Sequence, residues 1–172
     1  MDLALFSTQM LNGLQLGVLL FLVAAGLTLI FGIMDFINLA HGAFYMIGAY
    51  FCGTVVALTG SFVIGLLIAL PLTAAVGYVA EITIARTLYA RDHLDHVLAT
   101  FGLILIADTT VHFFWGAEGM AIPTPDWLGG RVPFMGTEIP AFRLAIVAVG
   151  LSVAVGLWLL VTRTRLGMLI RA

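Results

Sequence analysis

Long apolar runs alternate with short polar punctuation along the chain, and the punctuation counts the runs. From Leu3 to Met34 there are 32 residues without a formal charge. A helix crossing ~30 Å of hydrocarbon needs roughly 20 mostly apolar residues, so this run predicts one crossing with an entry segment. Phe36 to Ala80 is 45 residues free of Asp, Glu, Arg and Lys. That is too long for one helix and about right for two. The fold-back falls at Thr59-Gly60-Ser61, where glycine and small hydroxyl residues turn the backbone cheaply. His96 to Trp115, interrupted only by Asp108 and His112, reads as a fourth span, and the 19 charge-free residues Leu144 to Thr162 read as a fifth. The expected fold is an all-α polytopic membrane protein, a single transmembrane domain over residues 1–172 with about five transmembrane helices.

Composition removes the competing classes. Only 9% of residues are charged and 62% are hydrophobic, with a mean hydropathy of +1.16, whereas a soluble domain is about a quarter charged. All 7 basic residues are Arg. A soluble enzyme, a nucleic-acid binder with a basic face and a disordered tail are excluded. The lone Cys52 supports neither an internal disulfide nor a cysteine metal site. A cleavable signal peptide is a poor reading of the first run, which starts with Asp2, has no preceding Arg and is too long.

Arg placement predicts orientation. Arg86 and Arg91 lie between the third and fourth spans, and Arg163, Arg165 and Arg171 follow the fifth; Arg131 and Arg143 lie between the fourth and fifth. Five crossings place the first two groups on one side and the third group opposite. The 81–96 connection and the C-terminus are therefore expected in the cytoplasm and the N-terminus outside. The outer connection, Gly116 to Phe142, holds four of the five prolines, with Glu118, Asp126 and Glu138. Trp115 and Trp127 suit headgroup level. A loop of this length is an ordered cap or an exposed docking surface.

The most informative stretch is Phe31-Gly32-Ile33-Met34-Asp35-Phe36-Ile37-Asn38-Leu39-Ala40-His41-Gly42. Asp35, Asn38 and His41 recur at intervals of three, which on a helix share a face. Polar groups in hydrocarbon need partners or water, and broken helices at membrane depth are tolerated only where protein or a wet cavity covers the freed backbone. Two readings stand side by side: a substrate-lining break of the kind transporters use, and a plain cytoplasmic turn between spans one and two with His41 snorkelling at the interface.

The run from Gly32 through His41-Gly42-Ala43-Phe44-Tyr45-Met46-Ile47-Gly48-Ala49-Tyr50 resembles the signature of branched-chain amino-acid ABC transporter permeases of the LivH type. Leu98-Ala99-Thr100-Phe101-Gly102-Leu103 is similar to the opening of a later span in that family. Thr164-Arg165-Leu166-Gly167-Met168-Leu169-Ile170-Arg171-Ala172 resembles the start of its ATPase-coupling loop. Family members are longer, with further spans, so the resemblance implies an N-terminal portion of such a permease. It also implies alternating access, a second homologous permease subunit, two ABC ATPase subunits and a periplasmic or extracellular solute-binding protein, with no cofactor and no metal. Asn38, His41, Gly42 and Tyr45 are the candidate substrate-binding or helix-break residues, because a zwitterionic solute needs dipoles and hydrogen-bond partners that half-helix ends supply.

Other polar positions carry less. Asp108 and His112, four apart, can touch on one helix face; a mutually satisfied pair is the simpler reading than a proton relay or catalytic pair. Glu81, Arg86, Arg91, Asp92, His93, Asp95 and His96 read as a solvated mixed-sign loop rather than a ligand set. Gly13 and Gly17 form a small-xxx-small step that lets helices approach, and Pro71 should kink the third span. No phosphate loop of the G-x-x-x-x-G-K-[ST] type occurs, so ATP hydrolysis is expected of a partner. An intramembrane enzyme using Asp108, His112 and His41, and a non-catalytic membrane scaffold, are the rival functions. No residue separates a branched-chain amino acid from an amide or urea as the solute.

Overall fold

The computed structural model describes residues 3–134 and 137–164. Five helices are long and apolar enough to cross a membrane: Leu5–Met34, His41–Thr59, Phe62–Leu88, His93–Trp115 and Ala141–Arg163. These are the five expected crossings. The fourth begins at His93 rather than His96, because Asp92 adopts an extended conformation and its carbonyl accepts from Asp95 N at 2.9 Å. Large side chains face outward: Phe113 is 81% and Leu58 80% exposed. Such a surface is at home in lipid, not water.

The elements are α1 (Leu3–Met34), α2 (His41–Thr59), α3 (Phe62–Ala80), a π-turn (Glu81–Ala85), α4 (Arg86–Leu88), α5 (His93–Trp115), a 3-10 turn (Asp126–Leu128), β1 (Arg131–Phe134), β2 (Thr137–Pro140) and α6 (Ala141–Arg163). They form two compact units, Met34–Pro123 and Met1–Ile33 with Thr124–Ala172.

In the Met34–Pro123 unit, α2 and α3 make an antiparallel hairpin. Gly60 turns it at φ +69°, a left-handed value that favours glycine, and its N–H caps α2 on Val56 O at 2.8 Å. Cys52, Val56 and Ala69 form the core, with Phe51 and Phe62 packed on it. Gly65 permits the contact, since a Cβ there would overlap Val56 and sit 3.1 Å from the Cys52 carbonyl. Helix α5 runs parallel to α2. Leu39 N–H, two residues before α2, donates to Thr100 Oγ1 at 3.3 Å, and Trp115 Nε1 donates to Thr54 Oγ1 at 2.8 Å; both pairs are 61 residues apart. Helix α3 continues through Pro71, and the irregular turn of this span is the π-turn at Glu81–Ala85.

In the other unit α1 and α6 also run parallel, with Asn12 bonded to Arg143 and Val18 seated on Gly150 further along. The glycine that allows close approach is thus Gly150. Gly13 and Gly17, expected to do so, have open space within 4 Å. The 3-10 turn and a two-stranded antiparallel hairpin precede α6, with Val132 opposite Ile139 and Pro133 opposite Glu138. The hairpin is an addition to the all-helical expectation. Proline in each strand hides it in the sequence, yet with only two strands every position is an edge, where proline is tolerated.

Candidate functional site at the turn between the first two helices

Helix α1 ends at Met34, and the backbone departs from helical geometry from Asp35 to Ala40. Asp35 has φ +50° and is the one non-glycine residue with positive φ among the described residues; aspartate is among the side chains that tolerate this region. Asn38 Oδ1 accepts from Ala40 N at 3.0 Å, a local turn bond. His41 then opens α2, and the Ala40 carbonyl accepts from Ala43 and Phe44 N–H at 3.0 and 3.2 Å. The interval-of-three pattern therefore does not describe a helix face, since Asp35 and Asn38 precede α2, Asp35 at positive φ and Asn38 held by its turn bond.

The turn is clamped to the beginning of α5. Phe36, 3% exposed, packs edge-on against Tyr89 (ring centroids 5.6 Å) and tilted against His96 (4.6 Å). Thr100 Oγ1 donates to His96 O at 2.7 Å and accepts from Leu39 N–H at 3.3 Å. His96 Nε2 lies 2.8 Å from Leu88 O. A carbonyl only accepts, so Nε2 carries a proton, and Nδ1 is buried with no hydrogen-bond partner among the described residues. His93 Nε2 lies 3.4 Å from Asp35 Oδ2 across an exposed edge. Beside this edge, the Tyr89 hydroxyl donates to Glu81 Oε1 at 3.1 Å; burial, then Glu81, raise its pKa above the ordinary 10.0.

Of the expected site residues, Asn38 is spent on the turn, while His41, Gly42 and Tyr45 fall on the first turn and a half of α2. His41 is half-buried and Gly42 exposed. Tyr45 is 60% exposed. Gly42, Tyr45 and Ala49 form a stripe left uncovered within this unit, whereas Ala43, Cys52, Gly53 and Val56 face the packed side. Gly48 packs against Thr73 of α3. Sequence reasoning missed Phe36, Tyr89 and Thr100 as partners of the turn. It also placed His96 in a solvated cluster, whereas His96 is 3% exposed. The available signal was that Phe36 is the lone aromatic between Asp35 and Asn38.

Between α2, α3 and α5 lies a cavity of about 330 Å³, beginning one residue past Gly42 and lined by Phe44, Ile47, Phe51, Val76, Leu103 and Ile106 among other mostly apolar side chains. Asp108 and His112 sit 3.6 Å apart, both about half exposed, as the mutual pair expected. Among the described residues, no three His, Cys, Asp or Glu side chains gather as a metal site.

Residues 9–172 match the family model for the branched-chain amino acid transport system permease component. The chain belongs to that family. It is 31% identical over 95% of its length to the high-affinity branched-chain amino acid transport system permease protein BraD of Pseudomonas aeruginosa. It is 27% identical over 97% of its length to LivH of Escherichia coli K12 and 26% identical to LivH of Salmonella typhimurium. The match covers 57% of BraD and 58% of LivH, so this permease chain spans somewhat over half the length of those relatives. No solved structure matches it. With five membrane-length helices, it is a multi-pass membrane protein. The three motifs read as family-like lie inside the matched region; Arg165–Ala172 of the third falls outside the described residues.

Proposed function

We propose that the chain is a membrane-spanning permease subunit of an ABC importer for branched-chain amino acids or similar small polar solutes. It works by alternating access with a second permease subunit, two ABC ATPases and a solute-binding protein. The observation that carries this reading is the uncovered stripe of α2. In a membrane helix whose other side is packed, Tyr45 remains 60% exposed on the same side as Gly42, one residue from His41 and directly after a built-in break. A dipolar solute is served by the positive end of the α2 dipole, with Tyr45 as a hydrogen-bonding group. Asn38 contributes by shaping the turn.

The parallel pairing of α2 with α5 and of α1 with α6 supports the orientation. Second and fourth crossings share a direction, as do first and fifth. By the alternation of five crossings along the sequence alone, Arg86 and Arg91 share a side with Arg163, opposite Arg131 and Arg143, and the positive-inside bias puts the N-terminus outside.

ATP-dependent leucine uptake by the permease reconstituted with its partners tests the site. His41→Leu with Tyr45→Leu is expected to lower uptake about tenfold or more, with the complex still assembled. Unchanged uptake removes these residues from the pathway.

A further inference from the structure

The unit containing α1 and α6 holds a cation for which the transport reading has no use. Arg143 is the third residue of α6, half-buried, and its Nη1 donates to Asn12 Oδ1 of α1. Asn12 Nδ2 donates in turn to Gln9 Oε1 at 3.3 Å. Both helices are of membrane-crossing length and composition. A guanidinium stays charged and presents five N–H donors in a rigid fork. A neutral amide fixes the direction of that fork and cancels none of its charge. Among the described residues of this unit, the ion pair present is Arg131 with Glu138, so Arg143 is oriented by an amide and meets no carboxylate among those residues. A snorkelling arginine needs only water at its head; it has no need of a polar ladder on a neighbouring apolar helix. Ionisable groups on spanning helices are otherwise kept where they meet a partner or a ligand.

We propose that Arg143, aimed by Asn12 and Gln9, is a binding site for one oxyanion, a carboxylate or a phosphate, at this end of the α1–α6 pair. The planar fork accepts either group through two parallel N–H···O bonds. The carboxylate would come from a small solute and the phosphate from a lipid headgroup. The site is independent of the α1–α2 turn and survives if Tyr45 and His41 prove inert.

The test uses the full chain in maltoside micelles, which contain no phosphate. One arm compares leucine with leucinol, its carboxylate-free analogue; the other compares phosphatidylglycerol with diacylglycerol. Wild type is expected to prefer the anionic member in one arm, which names the source. Arg143→Gln is expected to weaken that preferred binding by about tenfold or more with helical content unchanged, and Asn12→Ala to weaken it severalfold. If Arg143→Gln does not fold, Asn12→Ala decides. A wild-type chain with neither preference, or variants that retain the wild-type preference, overturns the proposal.

Discussion

Replacing Phe36 by alanine tests whether the α1–α2 turn is held as described. The ring is 3% exposed and wedged between Tyr89 and His96. A phenylalanine buries on the order of 150–250 Å², worth ~4–6 kcal/mol against water at ~25 cal/mol per Å². That is an upper bound, because the opened turn still shelters part of the ring, and core Phe→Ala changes cost about 3–5 kcal/mol. Lipid near the turn lowers the penalty further, so a loss of ~2–4 kcal/mol of local clamping is expected. At 1.4 kcal/mol per tenfold, opening becomes about 30- to 700-fold more frequent. Hydrogen exchange followed in peptides covering 35–41 reads this directly, since the Leu39 N–H is held by Thr100 and exchanges only when the clamp opens. Phe36→Leu, which keeps most of the apolar volume, should accelerate exchange much less. Exchange in the alanine variant within about threefold of wild type would refute the clamp, because a ring contributing under ~1 kcal/mol is not holding the turn.

Four further outcomes follow from single contacts. Thr100→Val keeps the shape but leaves the Leu39 N–H without its acceptor, which should cost about 1–2 kcal/mol in the same exchange assay, with Thr100→Ser close to wild type. Gly150→Leu drives a side chain into Val18 and should destabilise by about 1–3 kcal/mol in thermal melts, whereas Gly13→Leu, which meets open space, should change little. Asp35→Gly should be neutral or slightly stabilising in melts and Asp35→Val should cost about 1–3 kcal/mol, since only the first accepts φ +50° without strain. Tyr89 should ionise above pH 10.0 in ultraviolet titration. Its raised pKa means that its contribution is whole below that pH and is lost as pH rises through the folded value. Tyr89→Phe should remove this alkaline loss.

The five crossings were legible because charge gaps measure helices directly: no stretch such as Phe36 to Ala80 has anything but the lipid or another helix to satisfy it. The Thr59-Gly60-Ser61 reversal was legible for the same reason, a left-handed position waiting for a glycine. What the pattern did not carry was partnership across 50 to 60 residues. Nothing local in Thr100 announces that it accepts from Leu39, and nothing in His96 separates it from the exposed His93 three positions away. Burial of His96 follows from where Phe36 lands, a tertiary fact. The same holds for Asn38, which the spacing placed on a helix face and which a short-range bond to Ala40 N turned into a loop former. Asparagine competes for backbone partners wherever the helix has not begun.

The two bonds that join α2 to α5 constrain how α2 moves against its neighbours. Leu39 and Thr54 are 15 positions apart, as are Thr100 and Trp115, and the separation of 61 is the same at both anchors. At ~1.5 Å per residue the anchors lie roughly 22 Å apart along the helices, most of the thickness of the hydrocarbon. Sliding α2 past α5 by even one turn breaks both bonds, and tilting it breaks one, each in a medium with little water to replace it. Moving α2, α3 and α5 together breaks neither. The Leu39 anchor belongs to the turn that Phe36 clamps against His96, so weakening that clamp should loosen the pairing of α2 with α5 at this end before it alters the helices themselves.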